Sequence, residues 1–182
     1  MGDLGKVYDV YTPELGRQMK KLAVHADVIT PNLTECCILT DTDYAELTSH
    51  RNRTGYLERI EKMATPLLQQ GIQTVIITGI IHQAPEDSVS KYYNLVVTEQ
   101  GYHSISSPIY GESYSGTGDL LASVVCAGMV RGDSAETSVR RAVRFLEASL
   151  IETVAEEIPR NDGLNFEPYL PLLLERQITP RR

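Results

Sequence analysis

The sequence predicts an α/β protein, and three observations carry that prediction. Apolar runs alternate with amphipathic stretches in the order of strand and helix units. The run Thr74-Val75-Ile76-Ile77-Thr78 is rich in β-branched residues and apolar on both faces, as in a central strand of a parallel sheet. Residues 92–98 and 102–106 flank Glu99-Gln100-Gly101, which predicts an antiparallel hairpin beside that parallel element.

Taken in order, residues 13–26 read as a helix, with Pro13 in the first turn and Leu15, Met19 and Leu22 at helical spacing. Residues 27–30 form a short apolar run stopped by Pro31, which suits a buried strand. A short helix is expected over 33–39. A longer one over 52–70 carries Leu57, Ile60, Met63, Leu67 and Leu68 and ends at Gly71. A polar loop over 82–91 separates the β-branched strand from the hairpin, and His82 is expected to be exposed there. A helix begins near Gly118 and closes at Arg131-Gly132-Asp133. In the next helix Asp133 and Glu136 have the spacing of a capping box, and Val139, Val143, Leu146, Leu150 and Val154 form one core-facing stripe. Beyond it, Pro159, Pro168, Pro171 and Pro180 predict an irregular tail through Arg182.

At 182 residues the chain is long enough for one domain with a sizeable core, and a single domain over 1–182 is expected. A net charge of −7 disfavours a nucleic-acid partner. Cys36, Cys37 and Cys126 form no C-x-x-C pair, so neither a disulfide framework nor a zinc site is indicated. No run has the character of a signal peptide or the length of a membrane span, so a cytoplasmic protein without a membrane partner is expected.

The stretch that carries chemistry is Tyr114-Ser115-Gly116-Thr117-Gly118-Asp119, a glycine-rich turn running directly into an apolar helical segment. Glycines let the backbone turn tightly and approach a ligand. The first helical amides lack internal partners, and the helix dipole adds partial positive charge, so the turn is an anion site suited to phosphate. Asp119 in the first turn is placed to take a proton from an incoming hydroxyl while the amides hold a phosphoryl group.

Three further groups align with it. Thr30-Pro31-Asn32-Leu33-Thr34-Glu35 lies where a short strand passes into a helix, the end of an open α/β sheet at which ligands gather. Thr78-Gly79 ends the β-branched strand at the equivalent level, offering a hydroxyl and an unhindered backbone. Asp3, before a polar turn, adds a carboxylate able to hold a metal through water. Each also has a simpler reading: Asn32 as a helix cap, Glu35 as a solvated first-turn acid, Thr78 as a strand-end hydroxyl, Asp3 as a disordered terminal residue.

Met1-Gly2-Asp3, Ile29-Thr30-Pro31-Asn32 with Glu35, Ile77-Thr78-Gly79 and Ser115-Gly116-Thr117-Gly118-Asp119 resemble, in order and spacing, the pyridoxal (vitamin B6) kinases of the ribokinase-like superfamily. The resemblance implies a three-layer α/β/α sheet, mostly parallel with an antiparallel hairpin. It implies Mg2+-dependent transfer of the ATP γ-phosphate to the 5′-hydroxyl of pyridoxal, pyridoxine or pyridoxamine. In that scheme Asp119 is the base, the amides of Gly116, Thr117 and Gly118 form the anion hole, and Thr30, Asn32, Thr78 and Gly79 face the nucleotide. Asp3 and Glu35 act on the metal through water. The need for K+ is left open, and a homodimer is implied.

Family members carry further strand and helix units before Met-Gly-Asp. The chain is therefore expected to be the C-terminal, nucleotide-binding portion of the fold, with impaired turnover and an unpaired sheet edge. The related hydroxymethylpyrimidine and hydroxymethylpyrimidine-phosphate kinases are the alternative. They typically carry cysteine where Asp119 stands and a different motif where Gly2-Asp3 stands. A non-catalytic nucleotide-binding fragment is the second alternative.

Overall fold

The computed structural model describes residues 1–174; Pro180 and the rest of 175–182, which the predicted irregular tail includes, lie outside the described residues. The chain divides into two compact units, Met1–Ile109 and the segment from Tyr110 onward.

The first unit opens with a small antiparallel hairpin, β1 (Gly2–Asp3) and β2 (Lys6–Val7). Helix α1 (Pro13–Ala23) follows, capped by Thr12, whose hydroxyl accepts from the Leu15 amide. It ends three residues earlier than predicted. His25 and Ala26 bond back three residues, to Leu22 and Ala23, so the chain leaves through a tightened turn. Its predicted apolar face is not a core face: no residue of α1 is buried, and Leu15 and Leu22 are exposed.

Strand β3 (Val28–Ile29) runs parallel to β4 (Thr74–His82), pairing Val28 with Thr74 and Ile29 with Val75. Between them lie α2 (Leu33–Thr40), α3 (Tyr44–Thr48) and α4 (Tyr56–Gln69). The short α3, capped by Asp43, falls in a stretch for which no element was predicted. Helix α4 begins at Tyr56 rather than residue 52 because Gly55 sits at φ 80°, a left-handed conformation that cannot continue a helix inward. Strands β5 (Lys91–Thr98) and β6 (Gly101–Ser107) form the predicted hairpin and complete the order β3-β4-β5-β6.

The sheet is mixed. β3–β4 is parallel, whereas β4–β5 and β5–β6 are antiparallel. The parallel character read from the β-branched run is therefore confined to one side of β4. That strand also outlasts its predicted end at Thr78: Gly79, at φ 67°, forms a bulge between Ile77 and Ile80, and pairing with β5 resumes as far as His82. His82 is thus a buried strand residue, only 5% exposed, and not part of an exposed loop. The core of this unit lies under the sheet, where Leu33, Cys36, Ile60, Ala64 and Leu67 of the helices meet Val75, Ile77, Leu95 and Val97. Cys36 and Cys37 are free thiols inside it. Burial pushes both upward in pKa, Cys37 to about 11, so neither is a reactive thiolate.

The second unit is built on α5 (Thr117–Val130) and α6 (Ala135–Ala155), followed by 3-10 segments at Arg160–Asp162 and Glu167–Leu173. Val139, Val143 and Leu146 are buried as expected, with Phe145 and Ala142 beside them, while Leu150 and Val154 are half-buried. The predicted Asp133–Glu136 capping box does not form. Ser134 is the cap, accepting from the Thr137 amide, because the Asp133 carboxylate is taken by Arg131 and Arg141. Among the described residues no helix is long and apolar enough to cross a membrane.

Candidate active site

In the first unit the parallel pairing of β3 and β4 brings two of the sequence-predicted groups together. Beyond β3 the Pro31 carbonyl accepts the Thr78 amide at 2.9 Å, and Asn32 and Thr78 form a parallel bridge. Thr30, Asn32, Thr78 and Gly79 therefore stand at one level, just beyond the end of β3 and at the bulge within β4. The Thr30 and Thr78 hydroxyls have no hydrogen-bond partner among the described residues, and both side chains are half-buried. A Cβ placed on Gly79 would meet nothing within 4 Å, so the space over this backbone is open.

Asn32 and Glu35 form a full capping box at the start of α2. The Asn32 side-chain oxygen accepts the Glu35 amide at 2.8 Å, and Glu35 Oε2 accepts the Asn32 amide at 3.0 Å. The Asn32 side-chain amide also donates to the Gly2 carbonyl at 2.8 Å, and the Met1 ammonium reaches Glu35 Oε1 at 2.9 Å. These bonds hold β1 against the start of α2. Asp3 accepts the Leu4 amide at 2.9 Å and is half-buried. Among the described residues no cluster of three His, Cys, Asp or Glu side chains could hold a metal ion by itself. That donor set fits only a metal supported by one or two carboxylates, water and the phosphates it bridges, the ordinary habit of Mg2+.

Tyr11 is a residue that sequence reasoning missed. Its hydroxyl is buried without a partner among the described residues. Burial, and then the charge of Glu35, raise its pKa. A tyrosine in a polar segment carries no periodic signal that would have singled it out.

The second unit holds the glycine-rich turn. Gly116 at φ 80° is the N-cap of α5 and offers no side-chain cap; the first intrahelical bond runs from the Leu120 amide to the Gly116 carbonyl at 3.0 Å. The turn is fastened from behind by the Ser115 amide on the Arg160 carbonyl at 3.1 Å and the Thr117 hydroxyl on the Tyr114 carbonyl at 2.8 Å. The Thr117 amide leans to Tyr114 at 3.5 Å. No hydrogen bond among the described residues claims the amides of Gly116, Gly118 and Asp119. Asp119 N–H is thus a donor beyond those predicted from sequence. A Cβ on Gly116 or Gly118 would meet nothing within 4 Å, and the Asp119 side chain is exposed. Free amides, open space above them and the positive end of a 14-residue helix fit a phosphate group. The neighbouring carboxylate can accept a proton.

Residues 7–161 match the family model described as phosphomethylpyrimidine kinase. The chain belongs to this family. It is 29% identical over 132 residues to the chloroplastic thiamine biosynthetic bifunctional enzyme TH1 of Arabidopsis thaliana, covering 72% of this chain and 23% of the relative. It is 24% identical over 169 residues to the hydroxymethylpyrimidine/phosphomethylpyrimidine kinase THI21 of Saccharomyces cerevisiae, covering 88% of this chain and 29% of that protein.

Among solved structures it is similar to a Bacteroides thetaiotaomicron protein, assigned as a phosphomethylpyrimidine kinase, in a crystal form with pyridoxal. The TM-score is 0.83 and the identity 29%, over 98% of this chain and 60% of the other. Pyridoxal kinase from Lactobacillus plantarum superposes with a TM-score of 0.77 at 26% identity, over 96% of this chain and 58% of the other. The chain thus spans about three-fifths of these structures and less than a third of the curated relatives. As a member of the phosphomethylpyrimidine kinase family it has the ribokinase-like α/β fold of the pyridoxal and hydroxymethylpyrimidine kinases, enzymes that transfer phosphate from ATP with the help of a metal ion.

Proposed function

We propose that this chain carries the nucleotide side of a kinase that phosphorylates the 5′-hydroxyl of pyridoxal, pyridoxine or pyridoxamine. The observation that carries the reading is the start of α5, where unclaimed amides and an exposed carboxylate lie within one turn of Gly116. Asp119 draws the proton from the acceptor hydroxyl as its oxygen bonds to the γ-phosphorus. The bond from that phosphorus to the β,γ-bridging oxygen breaks, and ADP departs with the electron pair. Because the phosphoryl group is loosely bonded in the transition state, positioning and charge neutralisation matter more than base strength, and a carboxylate suffices.

The amides of Gly116, Thr117 and Gly118, joined by that of Asp119, hold the transferring phosphoryl oxygens. Thr30, Asn32, Thr78 and Gly79 serve nucleotide phosphates. A Mg2+ ion, when bound, would neutralise phosphate charge, with Asp3 and Glu35 as the carboxylates that hold it through water. A homodimer working in the cytoplasm, with K+ as an optional second cation, completes the reading.

Pyridoxal is favoured over the pyrimidine because Asp119 occupies the position at which hydroxymethylpyrimidine kinases typically carry cysteine, and because the Bacteroides relative crystallised with pyridoxal. The second reading, a hydroxymethylpyrimidine or phosphomethylpyrimidine kinase, is favoured by the family model and by the curated relatives. Side-by-side turnover with pyridoxal and hydroxymethylpyrimidine, under Mg-ATP, separates the two. Faster transfer to pyridoxal is expected, and transfer to the pyrimidine alone would contradict it. The 182-residue chain by itself is expected to bind ATP but turn over slowly, and a rate near that of full-length relatives would overturn that expectation. Nucleotide binding with no product from either alcohol would identify a non-catalytic nucleotide-binding fragment.

A further inference from the structure

His82 is buried at the end of β4 although no sequence pattern assigns it to a core. Its Nδ1 meets the backbone carbonyl of Arg51, in the connection between α3 and α4. A carbonyl only accepts, so Nδ1 carries the proton and donates. The ring is wedged between Tyr56 and Tyr93, with centroids 5.4 Å from each. Tyr93 in turn donates its hydroxyl to Asp87 Oδ2 at 3.2 Å, and Asp87 is also held by Lys91 at 2.6 Å and, through its carbonyl, by Gln83 at 3.0 Å. One chain of contacts therefore runs from the α3–α4 connection through His82 and Tyr93 into the 83–90 connection.

The placement of this anchor gives it a consequence for the site. The bulge at Thr78 and Gly79 interrupts the β4–β5 ladder between Ile77 and Ile80, and a bulged strand bends there, so the contacts on either side set its direction. On the near side the Thr78 amide is tied to Pro31; on the far side pairing with β5 resumes from Ile80 to His82, and His82 adds its tie to Arg51.

We propose that His82 is a positioning residue for nucleotide binding: held by the Arg51 carbonyl and clasped by Tyr56 and Tyr93, it fixes the path of β4 beyond the Gly79 bulge and thereby the Thr78–Gly79 shelf and the 83–90 connection. This rests on the kinase reading above. His82→Phe keeps an aromatic ring but loses the donor, whereas His82→Asn keeps a donor near the position of Nδ1.

The test is Mg-ATP affinity by calorimetry, the KM values for ATP and for pyridoxal, and amide exchange of the full chain. The Phe variant is expected to weaken ATP by about three- to tenfold, the worth of one buried hydrogen bond, with the KM for pyridoxal unchanged. Faster exchange is expected at Thr78 and through 83–90 but not at Val75 or Ile76. The Asn variant is expected to restore ATP affinity to within about twofold. Unchanged ATP affinity in the Phe variant, equal damage from Phe and Asn, or exchange accelerated uniformly through the unit would each overturn the inference while leaving the kinase reading intact. A wild-type chain that binds no nucleotide would overturn both.

Discussion

Asn32 and Glu35 satisfy each other. Each side chain accepts the other's backbone amide, at 2.8 and 3.0 Å, so a residue proposed for the nucleotide phosphates and one proposed for the metal also hold the first turn of α2 together. The structural duty and the proposed functional one fall on the same side chains, and substitutions can separate them. Glu35→Ala removes the acceptor of the Asn32 amide and is expected to lower stability by about 1 kcal/mol in urea unfolding. Glu35→Gln retains a side-chain oxygen for that amide and should unfold closer to wild type. If the carboxylate also serves a metal through water, the Gln variant will need more Mg2+ for half-maximal rate. An unchanged Mg2+ dependence would assign Glu35 to the cap alone.

Asp119 is exposed and caps nothing, so its replacement isolates chemistry from folding. Asp119→Asn is expected to lower the transfer rate by about 10² to 10⁴. Only a few tenths of a kcal/mol of stability should be lost with the first-turn charge. Stopped-flow or coupled assays against a urea curve check both parts.

Gly128 and Ser138 meet where α5 packs against α6. A Cβ at 128 would fall 2.4 Å from Ser138 Oγ, which is already bonded to the Ser134 carbonyl at 2.9 Å. Gly128→Ala must therefore displace that hydroxyl or spread the helices, at about 1 to 3 kcal/mol. The double variant with Ser138→Ala should recover part of the loss, since Ser138 Cβ would remain 3.0 Å away.

Asp133 sets an acid limit. Hydrogen bonds from Arg141 and then Arg131 hold its carboxyl below the usual carboxylate range. A depressed folded pKa contributes stability that is present above the unfolded value of about 3.9 and is lost as pH falls through the folded one. Asp133→Asn should therefore be less stable than wild type near neutrality, the more so because Arg141 is only 8% exposed and would lose its partner. The gap between the two should close below about pH 4. Thermal unfolding across that range reads it.

The fold was legible where local chemistry and packing agree. Thr74 to Ile77 and the 92–98 and 102–106 hairpin emerged almost as read, because a doubly buried strand and a glycine-bearing turn leave few alternatives. The alignment of the Thr30–Asn32 and Thr78–Gly79 groups is legible too, since the stop at Pro31 and the glycine after Thr78 mark the same level of two neighbouring strands. The misreadings have one physical source, tertiary partners invisible in a local window. In sequence Gly79 looks like a terminator, yet β5 resumes pairing beyond it. His82 sits in a polar stretch, yet two tyrosines and a carbonyl provide the buried site that a histidine needs. Asp133 has the spacing of a cap, but Arg141, two turns away, outcompetes that role and leaves the cap to Ser134.

The kinase reading requires the turn before α5 to grip the terminal phosphoryl group of a nucleotide. Backbone amide NMR of the isotope-labelled chain, titrated with Mg2+ and a non-hydrolysable ATP analogue, tests it most directly. The largest saturable shifts are expected at Gly116, Gly118 and Asp119, with a second set at Asn32, Thr78 and Gly79. Shifts that leave 116–119 unmoved while the analogue binds elsewhere would contradict it.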